Sequence, residues 1–248
     1  MEADVIFLAF ANNSESPLPK LEREGENIYR TLSDGAGKGF YMLHREPFAT
    51  TEKIAHYLIE FKDRVAVFHY GGHAEGDGLE LTDQKANAGG VAQLISGQKK
   101  LQLVFLNGCS TKDQVSQLLA LGVPAVIATS SPIDDEMATE LAEQFYSALT
   151  KHHTIREAFA MAAGLVKAKG GQAEQYRGIK IKEDTDTFPW GLYTEKDDVL
   201  DWKLPDQKSN KQEIIIRNAG DQFNFSKAPV NTQLTQVLLN VLTLQPRH

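Results

Sequence analysis

Four short runs are apolar along nearly their whole length: "DVIFLAF" (Asp4–Phe10), "RVAVFHY" (Arg64–Tyr70), "LQLVFLN" (Leu101–Asn107) and "PAVIATS" (Pro124–Ser130). A strand with one wet face alternates apolar and polar residues, so a continuous run means that both faces are covered. "GFYML" (Gly39–Leu43) is a further strand candidate. Helical stretches separate these runs. "LEREGENIYRTL" sets Leu21, Ile28 and Leu32 at near-helical spacing, and "TTEKIAHYLIEF" has threonine at its start and glutamate in its first turn. "GLELTD" reads as a short extended piece and "GGVAQLI" as a short helix. "TKDQVSQLLALG" is amphipathic and stops at Gly122. "DDEMATELAEQFYSALTKH" opens acidic and closes basic, as the helix dipole favours, and "TIREAFAMAAGLVKAK" opens with the capping box Thr154/Glu157. Strands alternating with helices predict an α/β fold with a mostly parallel central sheet and helices on both faces.

Composition narrows the function. The chain of 248 residues carries a net charge of -7 and no lysine/arginine stripe, which disfavours direct binding to nucleic acid or an anionic membrane. A single cysteine cannot form an internal disulfide, the acidic N-terminus is a poor signal peptide, and the apolar runs are too short to span a bilayer. These features predict a cytoplasmic protein. The polar stretch 170–187 reads as a long exposed loop. Past residue 196 the chain turns polar, with a strand-like "EIIIRN" and a helical stripe at Leu234, Val237, Leu238, Val241 and Leu242. We expect a main domain at 1–195 and a linker and tail at 196–248, with the stripe as a docking helix or ordinary packing. The abrupt end leaves open that the chain is a fragment.

The lone cysteine sits in "VFLNGCST", just past a strand. His73 sits in "GGHAEGDG", just past another. In an open parallel sheet the carboxyl ends of the strands share one edge, where ligands bind. Neighbouring strands lie about 5 Å apart, so His73 and Cys109 converge if their strands are adjacent. Such a pair is the minimum for thiol chemistry: the imidazole favours the thiolate, which attacks a carbonyl, and then protonates the leaving group. Gly71, Gly72 and Gly108 clear side chains from both positions, so backbone N–H groups of Cys109 and of Gly72 or Ala74 are candidate oxyanion donors.

"HYGGHAEGDGLEL", followed by the stretch from "LVFLNGCST" through "GVPAVIA" to "REAFAMA" and by "FPWGLY", resembles the CHAT domain, a caspase-like cysteine protease family. The ordered motifs span roughly Asp4 to Glu195. The resemblance implies a caspase–hemoglobinase fold, a three-layer sandwich, with His73 as base and Cys109 as nucleophile. It implies a cysteine endopeptidase acting on specific proteins, without metal or organic cofactor, switched on by a partner protein or self-association in a bacterial defence or signalling pathway. Related metacaspases and clostripain-like proteases place an acid two residues before the cysteine to select Arg or Lys. This chain has Asn107 there, which implies a neutral pocket. Asp134 and Asp135, following the fifth strand at the same edge, are alternative pocket residues, as is Trp190.

Plainer readings stand beside these. Cys109 alone reads as a buried structural thiol. His69 and His73 are four apart, but Gly71 and Gly72 break the spacing a metal site on a helix would need, so His69 reads as a core histidine. His152 and His153 read as helix-end cations, Asp134, Asp135 and Glu136 as helix-start charges, and Trp190 equally as core. A catalytically silent interaction module is the alternative function. A small-molecule enzyme is a third, weakened by the lack of a phosphate loop.

Overall fold

The computed structural model describes residues 2–12, 16–75, 78–109, 111–169 and 188–206. The polar loop 170–187 and the tail motifs named above lie outside the described residues. The described residues up to Pro205 form one compact unit.

This unit runs β1 (Val5–Ala11), α1 (Leu21–Gly37), β2 (Met42–Glu46), α2 (Thr51–Glu60) and β3 (Val65–Gly72). It continues through β4 (Ala74–Glu75), β5 (Gly78–Glu80), β6 (Lys85–Asn87), α3 (Ala88–Ser96), β7 (Leu103–Asn107) and α4 (Val115–Ala120). It ends with β8 (Ala125–Thr129), α5 (Asp135–Thr150), α6 (Ile155–Lys169), β9 (Trp190–Thr194) and a 3₁₀ turn, Asp197–Asp201. The main sheet is ordered β2-β1-β3-β7-β8-β9. Its first five strands are parallel, and β9 closes the edge antiparallel to β8.

The continuous apolar runs have the expected cause. Alternate residues feed two cores on opposite faces. Leu103 and Phe105 of β7 pack towards α1, α5 and α6, while Val104 and Leu106 pack towards α2, α3 and α4. The helix starts follow local chemistry. Thr50 accepts the Lys53 N–H at 3.2 Å to cap α2, and Asp134 accepts the Met137 N–H at 2.9 Å to cap α5. The Thr154/Glu157 box closes both ways at 3.1 and 2.9 Å.

Two local features were not expected. The start of the "TKDQVSQ" helix is a 3₁₀ turn, Thr111–Gln114, before α4 begins. A three-stranded side sheet, β4-β5-β6, follows β3. His69 and Trp190 are core residues, 0% and 4% exposed. No helix of the described residues is long and apolar enough to cross a membrane.

Phe105 is 0% exposed and packs edge-on to Phe145. Phe105→Ala is expected to cost about 3–5 kcal/mol in chemical unfolding. Ile59, 75% exposed on α2, is the control: Ile59→Ser is expected to change stability by under about 0.5 kcal/mol.

Candidate active site

The strand order has its switch point between β1 and β3, whose neighbours run off in opposite directions. A crevice opens at the carboxyl ends of strands at such a point. β3 pairs with β7, with Gly71 opposite Asn107. His73 and Cys109 each lie two residues past this last pair, just beyond the ends of the adjacent parallel strands β3 and β7. The pairing of β3 with β7 is direct, as the expected neighbourhood of the two residues requires.

Glycines make the approach close. A Cβ on Gly108 would lie 2.8 Å from the Ala74 Cβ and 2.9 Å from the Gly72 carbonyl oxygen. A Cβ on Gly72 would lie 2.6 Å from the Ala11 carbonyl oxygen and 2.6 Å from the Tyr70 hydroxyl. The Tyr70 hydroxyl in turn lies 2.6 Å from the His73 carbonyl, fixing the backbone at the histidine. On the other side, Thr129 Oγ1 donates to the Gly108 carbonyl, and the Thr129 N–H donates to Thr111 Oγ1 at 2.9 Å. The turn that carries Cys109 is therefore tied to β8.

His73 and Cys109 both have partners that sequence reasoning missed. His73 Nε2 lies 2.6 Å from the Ser16 carbonyl oxygen. A carbonyl only accepts, so Nε2 carries the hydrogen and, in the neutral ring, Nδ1 keeps the lone pair that a general base needs. Cys109 Sγ accepts the Ile133 N–H at 3.2 Å. The same sulfur lies 3.9 Å from the Ile133 carbonyl oxygen, to which its S–H is a weak donor. Neither partner leaves a sequence signal, because any residue offers a backbone carbonyl and all but proline offer an N–H. Both side chains are covered, His73 being 6% and Cys109 2% exposed.

The expected pocket residues hold structural bonds. Asn107, 0% exposed, donates to Glu24 at 2.9 Å and to the Ala138 carbonyl at 3.0 Å, and accepts from the Trp190 indole at 3.2 Å. Asn107 and Trp190 therefore meet, with the Asn107 amide occupied on both sides. Asp134 caps α5, and Asp135 accepts the Lys20 N–H at 3.0 Å. Both follow directly on Ile133, the residue bound to Cys109. Gly72 and Ala74 lie beside Gly108, where their backbones border the thiol turn. Among the described residues no three His, Cys, Asp or Glu side chains cluster as metal ligands.

The helices that frame the site, α1 and α5, are clamped by Arg23 and Lys20 on Glu136. The hydrogen bond from Arg23 holds the Glu136 carboxyl below its ordinary range.

The mostly parallel six-stranded sheet between two helical layers, with a cysteine and a histidine at its carboxyl edge, defines a caspase-like α/β sandwich. The chain belongs to the CHAT domain family, a caspase-like protease family, whose profile matches residues 2–195. A secreted C11 cysteine protease from Bacteroides thetaiotaomicron, solved with an irreversible peptide inhibitor, is similar in structure. The TM-score is 0.51 at 9% sequence identity, over 71% of this chain and 64% of that one. The match thus spans under two thirds of that protease, and the likeness is one of fold. No curated protein matches the sequence.

Gly108→Ala is expected to cost about 1–3 kcal/mol and to slow alkylation of Cys109, since the added methyl meets backbone. The clamp also has a pH dependence. A carboxyl with a depressed folded pKa contributes stability above its unfolded pKa and loses it as pH falls through the folded pKa. Glu136→Gln is therefore expected to shrink the stability difference between neutral and acid solution slightly, the pair being exposed.

Proposed function

We propose that the protein is a cysteine endopeptidase whose nucleophile is Cys109 and whose base is His73. One observation carries this reading: the β3–β7 pairing brings the ends of their two strands level, with the His73 ring oriented by the Ser16 carbonyl. His73 Nδ1 takes the thiol proton, and the thiolate adds to the scissile carbonyl. The oxyanion is held by the N–H of Cys109 and that of Gly72 or Ala74. Collapse to the thioester breaks the C–N bond, and His73 returns its proton to the leaving amine. Water then attacks the thioester, with His73 as base, and frees the thiol.

The occupied amide of Asn107 supports a preference for uncharged side chains before the cut, because a charged group there would meet no free counter-charge from this residue. The near-complete burial of both reactive side chains supports a latent enzyme. In this reading a partner protein or self-association opens the site, the substrate is a specific cytoplasmic protein, and the setting is a bacterial defence or signalling pathway. The same burial favours a second reading, a silent interaction module that keeps the fold without turnover.

The test compares wild type with Cys109→Ala and His73→Ala on a diverse peptide library, with cut sites read by mass spectrometry. Cuts are expected with wild type alone, and each variant is expected to lose roughly a thousandfold or more in rate. Cuts that persist in Cys109→Ala would remove the thiol from the mechanism. Fast, selective alkylation of Cys109 without cleavage of any peptide or protein would favour the silent module.

A further inference from the structure

At the end of β7 lies a second polar cluster that the mechanism above does not use. Glu24, on α1, is 0% exposed. Its Oε1 accepts from Asn107 Nδ2 at 2.9 Å and lies 3.3 Å from Nε2 of His69, itself 0% exposed. Its Oε2 accepts from Thr139 of α5 at 3.4 Å. Tyr146, also on α5, feels the same carboxylate, and burial together with that charge pushes its hydroxyl well above the ordinary range. Glu24 thus joins α1, β3, β7 and α5 at one point.

A buried carboxylate is an expensive way to join four elements. Apolar side chains of similar volume pack such a seam as well or better. A carboxylate offers direction instead: it fixes the one side chain whose own backbone ends β7. Asn107 is followed by Gly108, which has no side chain to anchor it, and then by Cys109. Ser16, the partner of His73, lies five residues before α1, and the N–H of the helix's cap residue Lys20 binds Asp135, two residues past Ile133, the partner of Cys109.

We propose that Glu24 is a positioning residue for Cys109: its buried carboxylate, paired with His69, holds the Asn107 amide and so aims the end of β7 that carries the thiol. The effect of Glu24 reaches the thiol through Asn107 and the glycine turn. The proposal deepens the protease reading and rests on it for its consequence, faster peptide cleavage, but its test needs no peptide.

Cys109 is the only cysteine, so iodoacetamide reports on it alone. In that reaction the S–C bond forms as the C–I bond breaks and iodide leaves. The full-length protein and its variants are alkylated across a pH series, which gives a thiol pKa and a limiting rate for each, and thermal unfolding runs in parallel. Glu24→Leu keeps the bulk and removes the acceptor. It is expected to slow alkylation at neutral pH by about tenfold and to shift the pH profile upward. Glu24→Gln keeps a carbonyl acceptor for Asn107 and is expected to stay within about threefold of wild type. Should Glu24→Leu fail to fold, Glu24→Asp, one methylene short of Asn107, carries the same expectation as Glu24→Leu. A folded Glu24→Leu or Glu24→Asp with the wild-type profile would overturn the proposal, whatever its melting temperature. So would a Glu24→Gln as slow as Glu24→Leu. Wild type that alkylates fast yet cuts nothing would sink the protease and leave the positioning role standing.

Discussion

The pairing of β3 with β7 is the constraint on which the site depends. It is parallel, it is central in the sheet, and it ends in glycines on both chains. Gly72 and Gly108 come so close that a methyl on Gly108 would meet the Gly72 carbonyl oxygen. Two side chains from distant parts of the sequence need a common floor if they are to act together. Here the hydrogen-bonded ladder is that floor, and the helical layers hold it flat from both faces. The thiol and the imidazole lie at its rim, where the ladder has stopped and the chains are free to turn.

Much of this was legible in the residues. The unbroken apolar runs required a sheet covered on both faces, and β7 shows why: its side chains alternate between two cores. Thr50, Asp134 and Thr154 announced helix starts through side-chain oxygens that bind nearby N–H groups, a local chemistry that sequence displays directly. His73 and Cys109 stood out because each follows an apolar run and adjoins glycine.

What was hidden was hidden for physical reasons. Ser16 and Ile133 act through the backbone, so their identities carry no mark. Glu24 reads as one more acid on an amphipathic helix, and its partner Asn107 is 83 positions away. Two positions earlier or later on the same helix, Glu22 and Glu26 are exposed. Of the side sheet, β5 falls in the extended piece read in "GLELTD", but β4 and β6, of two and three residues, are too short for any period to register. The antiparallel sense of β9 was equally invisible, since a half-buried strand has the same pattern in either direction.

That reversed strand has a mechanical consequence. β9 begins at the rim, where Trp190 lies opposite Thr129 and its indole grips Asn107, and it ends at the far margin, where Thr194 lies opposite Ala125. The chain therefore leaves the sheet on the side away from the thiol. Tension on the segment beyond Thr194 runs along the axis of β9, and the ladder to β8 carries it in shear, every rung loaded at once. The strand acts as a tie-rod: a pull at one margin arrives at the other as strain on the indole–amide bond, a strand's length from where it was applied.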